Sequence, residues 1–444
     1  MKKHILLTLI LLISVSGLHS QENQLSSGPM PGYSEMKEVP IWLQTKTQAE
    51  VFIKYHIQGD ENEYFTNKIT TKKETAFTAL LIADTLEPGN TYEYDVYVNG
   101  IKEDFSFETV FETQKLWKWR GDAPDFSFLM GSGAYINEEK YDRPGDGYGG
   151  EYEIYNAMTD ANPNFMIWLG DNIYLREPDW NSWTGIVHRY TQARQTPEMR
   201  EFLSSTHNYA IWDDHDAGPN DSDRSFWNKN QTLKVFELFW ANPSYGVGNI
   251  NGAITSFEFA DCEFFLLDNR TYRTPNRRKS GEKTQMGEEQ LQWLFDNLSS
   301  SYAKFKFVVM GGQLLSTVEA YESYSNYGFQ DERQRIIDFI REDSILNVVF
   351  LTGDVHFSEI SVLKEEGKPT IWDITSSPLN SGFNTNALEQ ENNLRIPESV
   401  IMQRNYTKID VVGTKENRHL LIRYFDSKGI LLYEMNINPE EIQE

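Results

Sequence analysis

Three stretches decide the fold: NFMIWLGDNIY at 164–174, NYAIWDDHDAGPND at 208–221 and NVVFLTGDVHFSEI at 347–360. In each, an apolar run of strand length gives way to Asp, Asn, Tyr or His. Short apolar runs bounded by turn residues read as strands buried on both faces. FSFLM at 126–130 and KFKFVVMGG at 304–312 repeat the pattern, while GEEQLQWLFDNL at 287–298 and DERQRIIDFIRE at 331–342 carry helical periodicity. Strands alternating with amphipathic helices predict an α/β domain with helices covering the sheets, over about 120–440.

Loops at strand ends are where α/β folds gather ligand groups. Here those ends hold Asp171, Asn172 and Tyr174, then Asp213, Asp214, His215, Asp216 and Asn220, then Asp354, His356, Ser358 and Glu359. Singly, each has a plainer reading. Asp171 after a strand serves as a helix cap, the 213–216 run is an exposed turn of an acidic protein, and an isolated Asp-X-His arises by chance. Asp354 and His356, two apart, share one face of an extended segment. Collected in one cleft, so many donors repel unless cations neutralise them, so metal is the economical explanation. Arg270, behind FFLLD at 264–268, reads either as a phosphate clamp through paired N–H donors or as an ion-pair partner of Asp268. Gly311 and Gly312 let backbone approach the site or form a tight turn. Trp180, Trp183, Trp227 and Tyr272 lie near these loops and read as packing beneath them.

Ahead of this domain the period changes to two. Ala49, Val51, Ile53, Tyr55 and Ile57 share a face, as do Tyr92, Tyr94, Val96 and Val98. Asn99-Gly100 predicts a hairpin turn, with Phe105 and Phe107 continuing the return strand. LEPGNTYEY at 86–94 resembles the tyrosine-corner region of fibronectin-like and immunoglobulin-like sandwiches. A small all-β sandwich is therefore expected over 30–115, with no chemistry of its own.

The first twenty residues, MKKH followed by an apolar run to Val15 and small or polar residues to Ser20, read as a secretory signal over 1–20. The run is too short to anchor a bilayer, and no later segment spans one. The expected location is the periplasm or the cell exterior. The formal charge of -25 argues against a nucleic-acid partner. One cysteine, Cys262, excludes an intrachain disulfide and sits in a stretch that reads as a buried strand.

GDNIY at 170–174, WDDHDAGPND at 212–221, LDNRTYR at 267–273 and GDVHFSEI at 353–360 resemble, in order and spacing, the PhoD-type alkaline phosphatase family. The resemblance covers nearly the whole chain. It implies a four-layer αββα metallophosphoesterase-like sandwich behind the fibronectin-like domain, and a mixed iron and calcium centre. Asp171 would bridge metals, Tyr174 would be an iron-binding phenolate, Asn220 would hold a second metal, and Asp354 and His356 would complete the set. Such donors suit hard ions, Ca2+ with Fe3+ or another transition metal. Where the family has Gly-Ser-Cys, with an iron-ligating thiolate, this chain reads Gly131-Ser132-Gly133. The vacancy falls to the Ser132 hydroxyl, a water or a different ion.

The expected function is a secreted, monomeric, metal-dependent hydrolase of small phosphate esters, with metal-bound hydroxide attacking phosphorus. His215 stabilises or protonates the leaving oxygen, or orients a carboxylate. The alternatives are a phosphodiesterase or phospholipase acting on lipid or teichoic-type substrates, and a phosphate- or glycan-binding protein without turnover.

Overall fold

The computed structural model describes residues 24–145, 147–319 and 323–440, so the signal segment at 1–20 lies outside the described residues. Among them no helix is long and apolar enough to cross a membrane.

The alternating N-terminal segments form two facing antiparallel sheets. Leu25–Pro31, Val39–Thr45 and Thr78–Ala83 make one. Glu50–Ile57 and Thr91–Val98, with four short strands, make the other. Val51, Ile53, Tyr55, Tyr92, Tyr94 and Val96 point inward against Leu43 and Leu81, as a period of two requires. The tyrosine corner is formed: the Glu87 N–H donates to the Tyr92 hydroxyl at 2.7 Å. Asn99 and Gly100 turn the chain with φ of 50° and 79°. The return strand, however, stops at Ile101–Lys102, and Phe105 and Phe107 lie outside any strand, stacked on each other at 5.2 Å. Phe105 still packs against the edge of the N-terminal core, and its ring is covered further by Phe107 and by Arg200, although the segment that carries both rings pairs with no strand.

Beyond residue 125 two six-stranded sheets face each other. One has the order His207–Ile211, Phe165–Leu169, Phe126–Gly131, Asn405–Val412, His419–Asp426, Leu431–Ile437. The other runs Thr255–Phe259, Cys262–Leu266, Phe305–Val309, Val348–Thr352, Ile371–Thr375, Glu359–Leu363. Phe128, Phe165, Phe257, Phe264 and Phe307 interlock between them. Helices Glu288–Ser300 and Gln330–Glu342 cover the second sheet through Leu291, Leu294, Ile336 and Ile340. Helices Glu153–Asp160, Trp183–Arg194, Pro197–Ser205 and Lys229–Phe239 cover the first. The result is the expected αββα layering.

The N-terminal sheets join the first large sheet and its helices through Met30 and Trp42, which enter the same apolar core as Phe202 and Phe239, and through polar ties. The Ser34 N–H donates to the Tyr209 hydroxyl at 2.9 Å, and Trp42 Nε1–H donates to the Leu238 carbonyl at 2.7 Å. Buried His207 bridges the Gly32 carbonyl at 2.8 Å and the Glu112 N–H at 3.1 Å.

What positions the site is strand direction. Phe126–Gly131, Phe165–Leu169 and His207–Ile211 run parallel in one sheet, and Phe305–Val309 and Val348–Thr352 run parallel in the other. Their C-terminal ends meet at one rim, where the Ser132 N–H donates to the Ser376 carbonyl at 3.1 Å across the two sheets.

Candidate metal centre

Each strand end at this rim turns sharply and delivers a polar side chain. Gly170, at φ 88°, lets the first loop press on the second: a Cβ there would lie 2.6 Å from that of Asp213. Gly311 does the same from the opposite sheet, since its Cβ would meet Asp213 Oδ2 at 2.6 Å. Gln313 turns away from the rim and donates to Glu359 and Thr375. Glu359 itself opens a strand and is paired with Arg395. Neither belongs to the centre.

Asp171, Asp354 and His356 all sit in the left-handed region, with φ of 50°, 69° and 60°. Non-glycine residues there carry about 1–3 kcal/mol of strain and cluster at functional sites. The segment Asp354-Val355-His356 is thus a tight turn and not the extended strand that residue spacing implies. Two left-handed residues flank Val355, whose N–H donates to the Gly353 carbonyl at 2.9 Å. Both side chains still reach the same space.

Ligand atoms of Asp171, Asp214 and His215 lie within 4.8 Å of one another, as do those of Asp213, Asp214 and Asp354. A cavity of about 540 Å3 is lined by Asp171, Asp214, His215 and Asp354, and also by His356, Asn220 and Tyr148, with Asp213 buried behind them. His356 Nδ1–H donates to the Gly382 carbonyl, which fixes the tautomer and leaves Nε2 as an acceptor, 3.4 Å from the Tyr174 hydroxyl. The Tyr174 ring packs against His215 at 4.3 Å between centroids.

Five of the seven residues singled out by sequence line this cavity: Asp171, His215, Asn220, Asp354 and His356. Tyr174 joins them from the wall of a neighbouring cavity. Arg270 does not stand as a clamp. Its guanidinium is 2 % exposed and held by the Asp213 carboxylate, with Asp214 at 3.9 Å. Its Asp268 contact is made by the backbone N–H at 2.9 Å. Asp213 and Asp214 are the residues that sequence reasoning left out of the ligand set. A run of three carboxylates around one imidazole does not say which of them face inward, and the short helix Asp214–Ala217 decides it.

The electrostatics are those of a site built for cations. Burial, together with Asp214, Asp213, Asp216 and Asp354, raises Asp171 well above the usual carboxylate range. Burial raises Asp216 to about 8, even though it accepts the N–H groups of Asn172 and Asp213. For Asp214 burial acts upward too, but His215 and Arg270 outweigh it and hold that carboxyl below its ordinary value. Tyr174 is raised by burial and by Asp171. Carboxylates this close cannot all ionise without a counter-charge. Asn172 Oδ1 and Asn269 Oδ1 are buried without a hydrogen-bond donor, although buried amide oxygens ordinarily find one. Oxygen and imidazole donors of this kind fit hard cations.

The position expected to hold a thiolate is closed. Gly133 has φ 75°, and a Cβ there would approach Ser381 Oγ at 2.9 Å and Pro378 Cβ at 3.0 Å. Ser132 Oγ does not replace it: it accepts the Asp354 N–H at 3.2 Å and donates to the Ser376 carbonyl at 3.3 Å, bracing the turn. Cys262 is buried in its strand, and burial raises its thiol.

Residues 247–443 match the family model described as PhoD-like phosphatase, and residues 22–112 match a domain of unknown function, DUF7800. Alkaline phosphatase D of Bacillus subtilis (strain 168) is 26% identical over 374 residues, covering 72% of this chain and 60% of its own length. The chain thus spans less than two thirds of that curated relative. Among solved structures, one titled "Structure of PhoD" aligns with a TM-score of 0.75 at 18% identity, covering 94% of this chain and 90% of its own. A purple acid phosphatase from yellow lupin (Lupinus luteus) seeds aligns with a TM-score of 0.66 at 12% identity, covering 92% and 74%. Both likenesses concern the fold.

Proposed function

We propose, from the premise that this chain belongs with the PhoD-like phosphatases, that it hydrolyses phosphate esters with metal ions held at the acidic rim. The observation that carries this reading is the presence beside an open cavity of two triads that share Asp214, namely Asp171 with Asp214 and His215, and Asp213 with Asp214 and Asp354, each with its ligand atoms within 4.8 Å of one another. Metal ions held there would supply Lewis-acid polarisation of a phosphoryl oxygen and a water of lowered pKa. Asp171, Tyr174, Asn220, Asp354 and His356 would hold them, with Asp213 and Asp214 added from the structure. The donors are oxygen and imidazole without thiolate, which favours Ca2+ with Fe3+ or another hard transition ion.

The chain's own groups do the rest. His215 stands in the cavity wall with Tyr174 packed against its ring, placed to give a proton to the leaving oxygen. Arg270 acts at one remove, holding Asp213 and Asp214 in register. Residues 120–440 would form the catalytic unit and 30–115 an accessory sandwich, in a monomer exported by a signal over 1–20.

Elemental analysis of the purified protein, with hydrolysis of p-nitrophenyl phosphate and its bis ester before and after chelation, tests this. Bound metal with chelator-sensitive turnover is expected, and the ratio of the two rates assigns monoester or diester preference. Absence of both metal and turnover after reconstitution with iron, calcium, zinc and manganese would replace the hydrolase reading with a binding one.

A further inference from the structure

A second cavity of about 360 Å3 adjoins the acidic one, and Tyr148, His215 and Asn220 line both. Its remaining wall has a different chemistry. Tyr135, Tyr141, Tyr174 and Trp180 turn it aromatic, with the Tyr135 ring 4.9 Å from Tyr174 and edge-on to Tyr148 at 5.0 Å. Arg176, buried, is neutralised by Asp142 at 2.9 Å and lies over the Tyr135 ring. Arg143 remains as an exposed cation at the mouth.

The wall is preformed. Asp142 Oδ1 also accepts the Tyr135 hydroxyl at 2.9 Å, and Asp142 Oδ2 accepts the Glu138 N–H at 2.6 Å. Glu138 in turn is held by Arg189 at 2.9 Å from helix Trp183–Arg194. The loop is therefore tied at both acidic residues to buried arginines.

We propose that this cavity receives the alcohol side of the ester and selects flat aromatic leaving groups, with Arg143 favouring those that carry a further anionic group. The inference rests on the phosphate-ester reading above. Position and chemistry support it together: a leaving oxygen near His215 directs its substituent into the aromatic walls, where rings stack or meet edge to face.

The test uses the full chain reconstituted with metal and compares kcat/KM for 1-naphthyl phosphate and ethyl phosphate in the wild type, Tyr141→Ala and Arg143→Ala. Taking the ratio between variants cancels the difference in leaving-group acidity. Losing a stacked ring is expected to lower the naphthyl-to-ethyl ratio about 5-fold in Tyr141→Ala. Arg143→Ala should lower the ratio of 4-carboxyphenyl to phenyl phosphate, and it is a surface change that leaves folding intact. Binding of 1-naphthylphosphonate against ethylphosphonate, followed by calorimetry, needs no turnover. Unchanged ratios in both variants with hydrolysis intact would overturn the aromatic subsite and leave the hydrolase reading standing. No hydrolysis by the wild type, with preferential naphthylphosphonate binding that Tyr141→Ala weakens, would keep the subsite and remove the hydrolase.

Discussion

Asp268, in the turn after strand Cys262–Leu266, and Asp171, at the end of Phe165–Leu169, are 0% and 1% exposed and differently provided for. Asp268 accepts the N–H groups of Arg270, Thr271 and Ala253, each at 2.9 Å, and the Thr271 hydroxyl at 2.6 Å. Asp171 receives the His215 N–H at 3.4 Å and faces Asp213, Asp214, Asp216 and Asp354. One carboxylate folds a turn and finds its counterparts inside the chain. The other is placed where the chain supplies more negative charge, and its counterpart must come from outside. Burial alone does not separate structure from function; the provision of donors does.

Substituting each by its amide sets the two against each other. Asp171→Asn is expected to lower hydrolysis about 1,000-fold, the upper range for losing one electrostatic contributor to a transition state. It should raise the melting temperature of the chelated protein, because it removes like-charge repulsion. Asp268→Asn should leave the melting temperature lower by the equivalent of about 1–3 kcal/mol, since an amide cannot accept every donor there. Turnover and thermal unfolding of both variants check this. A less stable chelated Asp171→Asn protein would break the contrast.

Removing metal sharpens it by pH. Asp216 is raised from its ordinary carboxylate value to about 8, so the folded state keeps a proton that the unfolded chain releases. The associated stability is present at low pH and is lost as pH rises toward and through 8. The chelated protein is expected to lose melting temperature between about pH 5 and 8 and to level off above that, and the metal-loaded protein to lose less. Parallel slopes would show that the rim carries no excess charge.

His207 titrates with the opposite sign, far from the rim. Burial lowers it from 6.5 to about 4. The unfolded chain therefore binds the proton first, and stability present above pH 6.5 is lost as pH falls toward 4, about 3 kcal/mol in all by linkage. Its neutral ring joins Gly32 and Glu112 to strand His207–Ile211, so the loss falls on the seam with the N-terminal sheets. Urea midpoints at pH 6.5 and 4.5 for the wild type and His207→Gln measure it; the variant should show the smaller change.

The sequence displayed the layers because each rests on a local period: two along Glu50–Ile57 and Thr91–Val98, helical along Glu288–Ser300 and Gln330–Glu342. It displayed the rim because every strand there ends in donors. It did not display that Arg270 serves Asp213, 57 residues away, instead of its near neighbour, since partner choice is set by two sheets meeting. Nor did it show the left-handed Asp354 and His356, because the one glycine there, Gly353, precedes them and the left-handed positions themselves carry side chains. Phe105 and Phe107 misled for a related reason: aromatic alternation looks the same whether the rings are carried by a strand or by an irregular segment at the edge of the core.

Tyr92 supplies the smallest effect and the cleanest contrast with Tyr174. Both are buried tyrosines raised above the ordinary phenol value, first by burial. Tyr92 places its oxygen where the Glu87 N–H needs an acceptor, while the Tyr174 oxygen faces His356 across 3.4 Å at the cavity. Tyr92→Phe strands one backbone donor and should cost about 1 kcal/mol of stability, read as a urea midpoint, with kcat/KM for p-nitrophenyl phosphate within error of wild type. Tyr174→Phe should do the reverse, sparing the midpoint and lowering turnover and bound metal. If the two variants behaved alike, donor provision would lose its value as the mark that separates the corner from the rim.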